Sequence, residues 1–272
     1  MNRKKILRRI KVVLIIYCLV GLGVYYFQEV IFFRPVPLPK DHAYNFAQPH
    51  KEILLPYNEK SGISIVQFTT AGTAAKGVVL YFHGNRTNIS RYESFAPVFT
   101  KHGYEVWMID YPGYGKSTGE FTEQTLYDWA LVFYKLARVR FSPDSIIIYG
   151  KSLGSGVAAQ LASVRDCRNL ILETPYYDFP SIAGQYLPIY PVRMMVRFKI
   201  PTYQYLQKVT APITIFHGTS DGVIWHSNAS RLKPFLKPRD EFITIAGGSH
   251  NDLAENPIYQ QKIIQILEAG IK

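Results

Sequence analysis

Residues 150–154, Gly-Lys-Ser-Leu-Gly, set a serine between two glycines, and a second Gly-Lys-Ser stands at 115–117. A phosphate-cradling loop needs a glycine five positions before such a triplet, so that backbone amides can curl around the anion. That position holds Asp110 before one triplet and Ser145 before the other, so neither complies and no nucleotide is expected. The 150–154 stretch instead fits Gly-x-Ser-x-Gly and lies between a strand pattern, "SIIIY", and a helical one, "VAAQLASV". At a strand-to-helix elbow the serine is held in a strained conformation with its hydroxyl thrust outward, and the helix N-terminus favours negative charge developing there.

A serine hydroxyl is a weak nucleophile without a base, and the base needs an acid to fix its tautomer. Asp221 in "FHGTSDGVI" and His250 in "GGSHNDL" each follow a strand pattern and supply both, in the order Ser152, Asp221, His250. Acyl transfer also places negative charge on the former carbonyl oxygen, which calls for two preorganised amides. The Leu153 amide follows the serine, and the Asn85 amide in "YFHGNRTN" is the second expected donor. The remaining polar residues read as structural. His83 shapes its loop, Ser117 and Asp110 hold a turn, Asp178 starts a loop, Asp252 caps the segment after His250, and His217 and His226 are packed residues. No spacing suggests a metal site, and no cofactor is expected.

These residues need a frame. The strand candidates are 52–56, 64–69, 77–83, 104–110, 144–150, 169–173, 212–218 and 241–247. Their β-branched and aromatic content, with little polar alternation in the central ones, suits strands buried on both faces of a mostly parallel sheet. Helical patterns at 121–138, behind Thr122 as a cap, and at 256–270, ending at Gly270, cover it. In such α/β sheets reactive groups gather at the carboxyl ends of strands.

The start of the chain is different in kind. Arg3, Lys4, Lys5, Arg8, Arg9 and Lys11 precede a charge-free apolar run from Val12 to Phe27, the pattern of a single-pass membrane segment with its basic flank in the cytoplasm and the rest of the chain on the other side. A cleaved signal is the rival reading, through the small pair Gly21 and Gly23. The expected organisation is residues 1–33 as flank and anchor, 34–50 as a Pro-punctuated linker and 51–272 as the catalytic domain. The net charge of +11 includes those six basic residues. Without them 25 basic residues face 20 acidic ones, with no basic stripe, which argues against nucleic acid as a partner. Two cysteines, Cys18 in the apolar run and Cys167 far downstream, make no disulfide framework.

Taken together, these motifs resemble the α/β-hydrolase superfamily over most of residues 75–255, in particular its small membrane-anchored and serine-aminopeptidase-like members. "FHGN" resembles their oxyanion loop, "DYPGYGKSTG" a structural turn, "GKSLGSG" the nucleophile elbow, "GTSDGVI" the acid loop and "GGSHNDL" the histidine loop. The resemblance implies Ser152 as nucleophile, His250 as general base, Asp221 as orienting acid, and the Asn85 and Leu153 amides as oxyanion hole. Arg86 and Thr87 depart from the smaller residues usual in that loop and imply a more polar or positive rim. Between the strands at 169–173 and 212–218 only about 36 residues intervene, rich in Tyr, Pro, Met and Phe. A short insert therefore replaces a large cap. It is suited to line an apolar acyl slot or to lie against a membrane, and equally to plain core packing. The implied activity is hydrolysis of acyl esters or thioesters of a small-molecule or lipid-like substrate. The alternatives are an aminopeptidase or amide hydrolase, an acyltransferase, or a non-catalytic membrane-tethered interaction module.

Overall fold

The computed structural model describes residues 3–70 and 74–269. The strands are β1 (Arg34–Pro35), β2 (His50–Pro56), β3 (Gly62–Phe68), β4 (Gly77–Phe82), β5 (Arg86–Thr87), β6 (Tyr104–Ile109), β7 (Ile146–Lys151), β8 (Asn169–Glu173), β9 (Ile213–Gly218) and β10 (Glu241–Ile245). Eight of them form one sheet in the order β10-β9-β8-β7-β4-β6-β3-β2, and these eight coincide with the sequence-predicted runs to within a few residues. The β2–β3 and β3–β6 pairs are antiparallel, so β3 alone is reversed, and the other pairs of the sheet are parallel. β4, β6, β7 and β9 are buried at every position, which is why their sequences show no polar alternation.

The pleat sends successive side chains to opposite layers. Val78, Leu80 and Phe82 of β4 point into one core with Ile146 and Ile148 of β7, whereas Val79 and Tyr81 point into the other with Ile147 and Tyr149. α1 is Arg3–Phe32; the body helices are α2 (Pro97–Thr100), α3 (Glu123–Arg138), α4 (Leu153–Ala162), α5 (Phe179–Tyr186), α6 (Val192–Met195), α7 (Thr202–Leu206), α8 (His226–Ser230) and α9 (Pro257–Glu268). α3 starts where the sequence predicts. The Thr122 hydroxyl accepts from the Thr125 amide, and Leu126, Trp129, Ala130 and Phe133 face the first core. α9 covers the second core with Tyr259, Ile263 and Ile266. It ends at Glu268, where Ala269 turns to an extended conformation; Gly270, expected as its terminus, lies outside the described residues.

α1 contains the predicted apolar run, with a mean hydropathy of 2.1, and is long and apolar enough to cross a membrane by length and composition. It is not detached from the body. Tyr17 stacks on Tyr190 with ring centroids 4.5 Å apart, and Gln28, interrupting the apolar pattern, accepts from the Arg197 amide (2.7 Å). The backbone departs from helical geometry at Phe27, and Phe33, just past the helix, is buried among Phe121, Phe179 and Phe198. The segment read as a linker is likewise pinned: β1 pairs in parallel with β5, and the Leu38 amide donates to the Gly115 carbonyl.

Phe33 is therefore the apolar rivet between the end of α1 and the body, through Phe121, Phe179 and Phe198. Replacing a buried phenylalanine with alanine removes its transfer free energy and leaves a cavity, at a cost of about 3–5 kcal/mol. The Phe33→Ala variant should unfold at a correspondingly lower urea midpoint in detergent solution, and an unchanged midpoint would show that α1 and the body are energetically independent.

Candidate active site

Ser152 sits between the end of β7 and the start of α4 with φ 52° and ψ −118°, a conformation only a few non-glycine residues adopt here. Such backbone strain costs of the order of 1–3 kcal/mol and persists where surrounding structure over-determines it. The close approach of α4 to the sheet supplies that constraint. A Cβ on Gly154 would collide with the Phe82 carbonyl, and one on Gly150 would lie 2.6 Å from the Ala158 Cβ, so the elbow closes only with glycine at both positions. The Ser152 amide donates to the Glu173 carbonyl (2.9 Å), tying the elbow to the end of the neighbouring strand β8.

The structure brings Ser152, His250 and Asp221 together at the carboxyl ends of β7, β10 and β9. His250 Nε2 lies 3.0 Å from Ser152 Oγ, and its Nδ1 lies 2.8 Å from Asp221 Oδ2. The other carboxylate oxygen of Asp221 accepts from the amides of Val223 (2.8 Å) and Ile224 (2.9 Å). Burial alone would raise the Asp221 carboxyl; the hydrogen bond and charge of His250 and the two amides outweigh it and hold the group below the usual carboxylate range. A second imidazole faces the same carboxylate: His217 Nε2 is 3.6 Å from Asp221 Oδ2, and burial pushes His217 below the ordinary imidazole value, so that it stays neutral. This differs from the expectation of a fully satisfied packed residue, because His217 Nε2 has no hydrogen-bond partner.

The two expected amide donors flank the serine. Leu153 is the first residue of α4, so its amide has no acceptor within the helix. Gly84, which precedes Asn85, approaches so closely that a Cβ there would lie 3.5 Å from Ser152 Cβ. The Asn85 loop is held from several sides. The Tyr114 hydroxyl is 3.0 Å from both the Asn85 carbonyl and its side-chain oxygen, and Asn85 Nδ2 donates to the Phe32 carbonyl at the end of α1 (2.5 Å). His83 shapes the loop as expected, with Nδ1 2.7 Å from the Gly84 carbonyl and Nε2 3.3 Å from Asp110, which in turn accepts from the Ile89 amide. Ser117 bonds the Asp110 carbonyl and the Ser64 amide and is remote from Ser152 chemistry. Asp178 caps α5, and Asp252 accepts from the amide and hydroxyl of Ser249, tightening the loop that carries His250.

Sequence reasoning missed two features. Lys151 forms a buried ion pair with Glu173 and donates to the His250 carbonyl (3.2 Å), while Glu173 also accepts from the Tyr149 hydroxyl. The other feature is the wall of the cavity. It has a volume of about 520 Å³ and is lined near Ser152 by Phe179, Ile182 and Leu187 of the insert, but also by Val24, Ile31 and Phe32 of α1. The sequence signal for this docking was Gln28, a polar residue in an apolar helix with its side chain turned to the insert rather than to solvent.

The family model described as serine aminopeptidase, S33 matches residues 73–198. The alpha/beta hydrolase domain-containing protein 17C of Xenopus tropicalis is 28% identical over 204 residues, which is 74% of this chain and 64% of the relative, and the Homo sapiens protein of that name is 28% identical over 74% of this chain and 60% of its own. The chain thus spans less than two thirds of the length of these relatives. Among solved structures, the Pyrococcus furiosus esterase Pf2001 superposes with a TM-score of 0.70 at 15% identity, over 89% of this chain and 99% of that one. An alpha-beta hydrolase from Vibrio vulnificus does so with a TM-score of 0.64 at 19% identity, over 80% and 81%. With a mostly parallel sheet, a strained serine elbow and these superpositions, the chain has the α/β-hydrolase fold, and over part of its length its sequence is similar to the serine aminopeptidase, S33 model and to the alpha/beta hydrolase domain-containing relatives.

Proposed function

We propose that the protein is a membrane-anchored hydrolase that cleaves acyl esters or thioesters through Ser152, His250 and Asp221 and an acyl-enzyme intermediate. The observation that carries this reading is His250, hydrogen-bonded to Ser152 on one ring nitrogen and to Asp221 on the other beside a largely apolar cavity. Ser152 Oγ attacks the carbonyl carbon as its proton passes to His250 Nε2. The Leu153 and Asn85 amides then receive the oxyanion, and Asp221 stabilises the imidazolium. Collapse of the tetrahedral intermediate breaks the bond to the leaving group, which departs with the proton held by His250. A water deprotonated by His250 then releases the acid and restores Ser152.

Support for the membrane lies in α1 and the insert. Ile189 and Met194 of the insert are 71% and 84% exposed, and they flank the segment that stacks against Tyr17, well inside the apolar run. With α1 across a bilayer and its basic flank cytoplasmic, the insert dips into the outer leaflet and its exposed apolar side chains meet lipid instead of water. Protease added outside intact cells should then degrade the body; protection of the body would reverse the orientation.

Two measurements test the chemistry. A fluorophosphonate should label the wild type and neither Ser152→Ala nor His250→Ala, with kcat on an acyl ester reduced about 10⁴-fold or more in each; labelling that survives Ser152→Ala would reject the assignment. The second uses pH. A carboxyl depressed in the folded state contributes stability that is present above its unfolded value, near 3.9, and is lost as pH falls through the folded value. The stability gap between the wild type and Asp221→Asn should hold at pH 5 and narrow as pH drops below about 4, read from urea midpoints at each pH. A gap independent of pH over that range would mean that Asp221 is not held ionised by its partners.

A further inference from the structure

Every charged carboxylate is missing from the lining of the cavity: among its described residues are Arg34, Arg86, Arg91 and Lys151, and neither Asp nor Glu. Lys151 is neutralised by Glu173. The three arginines are not neutralised. Elsewhere the described arginine ion pairs are Arg140–Glu105, Arg193–Asp178 and Arg197–Glu29, and none involves Arg34, Arg86 or Arg91, which are all exposed at the rim. Two of them are held side by side on purpose-built backbone, because Arg34 and Arg86 are register partners in the β1–β5 pair. Arg91 follows on the short helical turn that begins after Asn88, whose side chain caps that turn at the Ser90 amide and donates to the Val36 carbonyl.

Three uncompensated guanidiniums around one opening repel one another, and a cleft of a single sign focuses its field and concentrates ligands of the opposite charge. The planar fork of arginine matches phosphate oxygens in pairs, which a single ammonium does not. The same cavity has an apolar lining that includes Ile31, Phe179, Ile182 and Leu187, beside Ser152. One ligand must satisfy both kinds of lining.

We infer that the ester cleaved is an anionic amphiphile: one long acyl chain against the apolar lining, esterified to an alcohol that carries a phosphate group against Arg34, Arg86 and Arg91. This rests on the proposed serine-hydrolase chemistry and narrows it. Ser152 takes the acyl group as the ester C–O bond breaks, the phosphate-bearing alcohol leaves with the proton from His250, and water then frees the fatty acid. The phosphate itself is not transferred. A neutral glyceride would cover the apolar lining and leave the three guanidiniums without a counter-charge.

The test compares two substrates with the same chain and the same glycerol, oleoyl lysophosphatidate and monooleoylglycerol, hydrolysed by the full chain in mixed micelles of a nonionic detergent. The wild type should show a kcat/KM at least tenfold higher for the phosphate-bearing ester, and raising salt from about 0.05 to 0.5 M should compress that ratio as the shorter screening length cuts the reach of the rim charges. Combining Arg34→Gln, Arg86→Gln and Arg91→Gln should lower the ratio at least tenfold, and the three Arg→Lys changes should restore it only in part, since charge returns without the fork. Single changes give the same reading if the triple variant does not fold. Competition by glycerol 3-phosphate, lost in the triple variant, would place the recognition in the headgroup, whereas inhibition by inorganic phosphate that the triple variant retains counts against it. A wild type that labels with fluorophosphonate but prefers the neutral ester, or a ratio untouched by the arginine changes, overturns the anionic headgroup alone. A wild type that neither labels nor hydrolyses either ester removes the hydrolase reading and this inference with it.

Discussion

The left-handed backbone at Ser152 is the constraint on which the remaining geometry depends. A residue with φ 52° is uphill in isolation, and here it is held because β7 must hand the chain to α4 within one residue while α4 lies against β4 and β7. The two glycines of the motif are the price of that close approach. Once the elbow is closed, the serine hydroxyl stands at the open end of the sheet, the first amide of α4 stands beside it, and β9 and β10, beyond β8, end at a height that brings Asp221 and His250 within hydrogen-bond reach.

Beneath this surface the site is tied together by charge in a dry setting. Lys151 and Glu173 leave adjacent strand ends and are buried against each other, an arrangement that is costly to desolvate and rarely stabilising for its own sake. Its consequence is geometric: the Lys151 ammonium reaches the main-chain carbonyl of His250, and Glu173 is fixed in turn by the Tyr149 hydroxyl, whose ionisation burial pushes far out of reach. The residue between glycine and serine in the motif here links the end of β7 to the loop that carries His250.

The sheet and the candidate triad were legible in the sequence because both rest on local signals. Strands buried on two faces, such as Ile146–Lys151, need continuous apolar runs, and each candidate residue had to follow one of them. The turn residues His83, Asp110 and Ser117 were legible for the same reason, since their partners lie within a few strands of one another. What the sequence did not reveal depends on contacts between segments far apart in the chain, 53 residues from Phe32 to Asn85 and 173 from Tyr17 to Tyr190. An apolar helix reads the same whether its neighbours are lipid or protein, and only Val24 and Gln28 of α1 are buried. The stacking of Tyr17 on Tyr190 and the reach of Asn85 to the Phe32 carbonyl leave no local pattern.

That long-range contact changes what α1 does. A tether acts only through concentration at a surface, and any apolar helix of sufficient length would serve. A wall of the cavity acts through shape, and here Val24, Ile31 and Phe32 face the same space as Ser152 while the Phe32 carbonyl holds the side chain of Asn85, the residue whose amide is proposed to meet the oxyanion. Displacing α1 therefore opens the apolar wall of the cavity and loosens the Asn85 loop in one motion. The exposed faces of the insert follow the same logic. Tyr186, Ile189 and Met194 gain burial only if something apolar covers them, and a bilayer around α1 would cover them without further change in the fold. In the proposed membrane setting, location and chemistry would be coupled through one helix: lipid around α1 would also seal the cavity from water on the side proposed for the acyl chain.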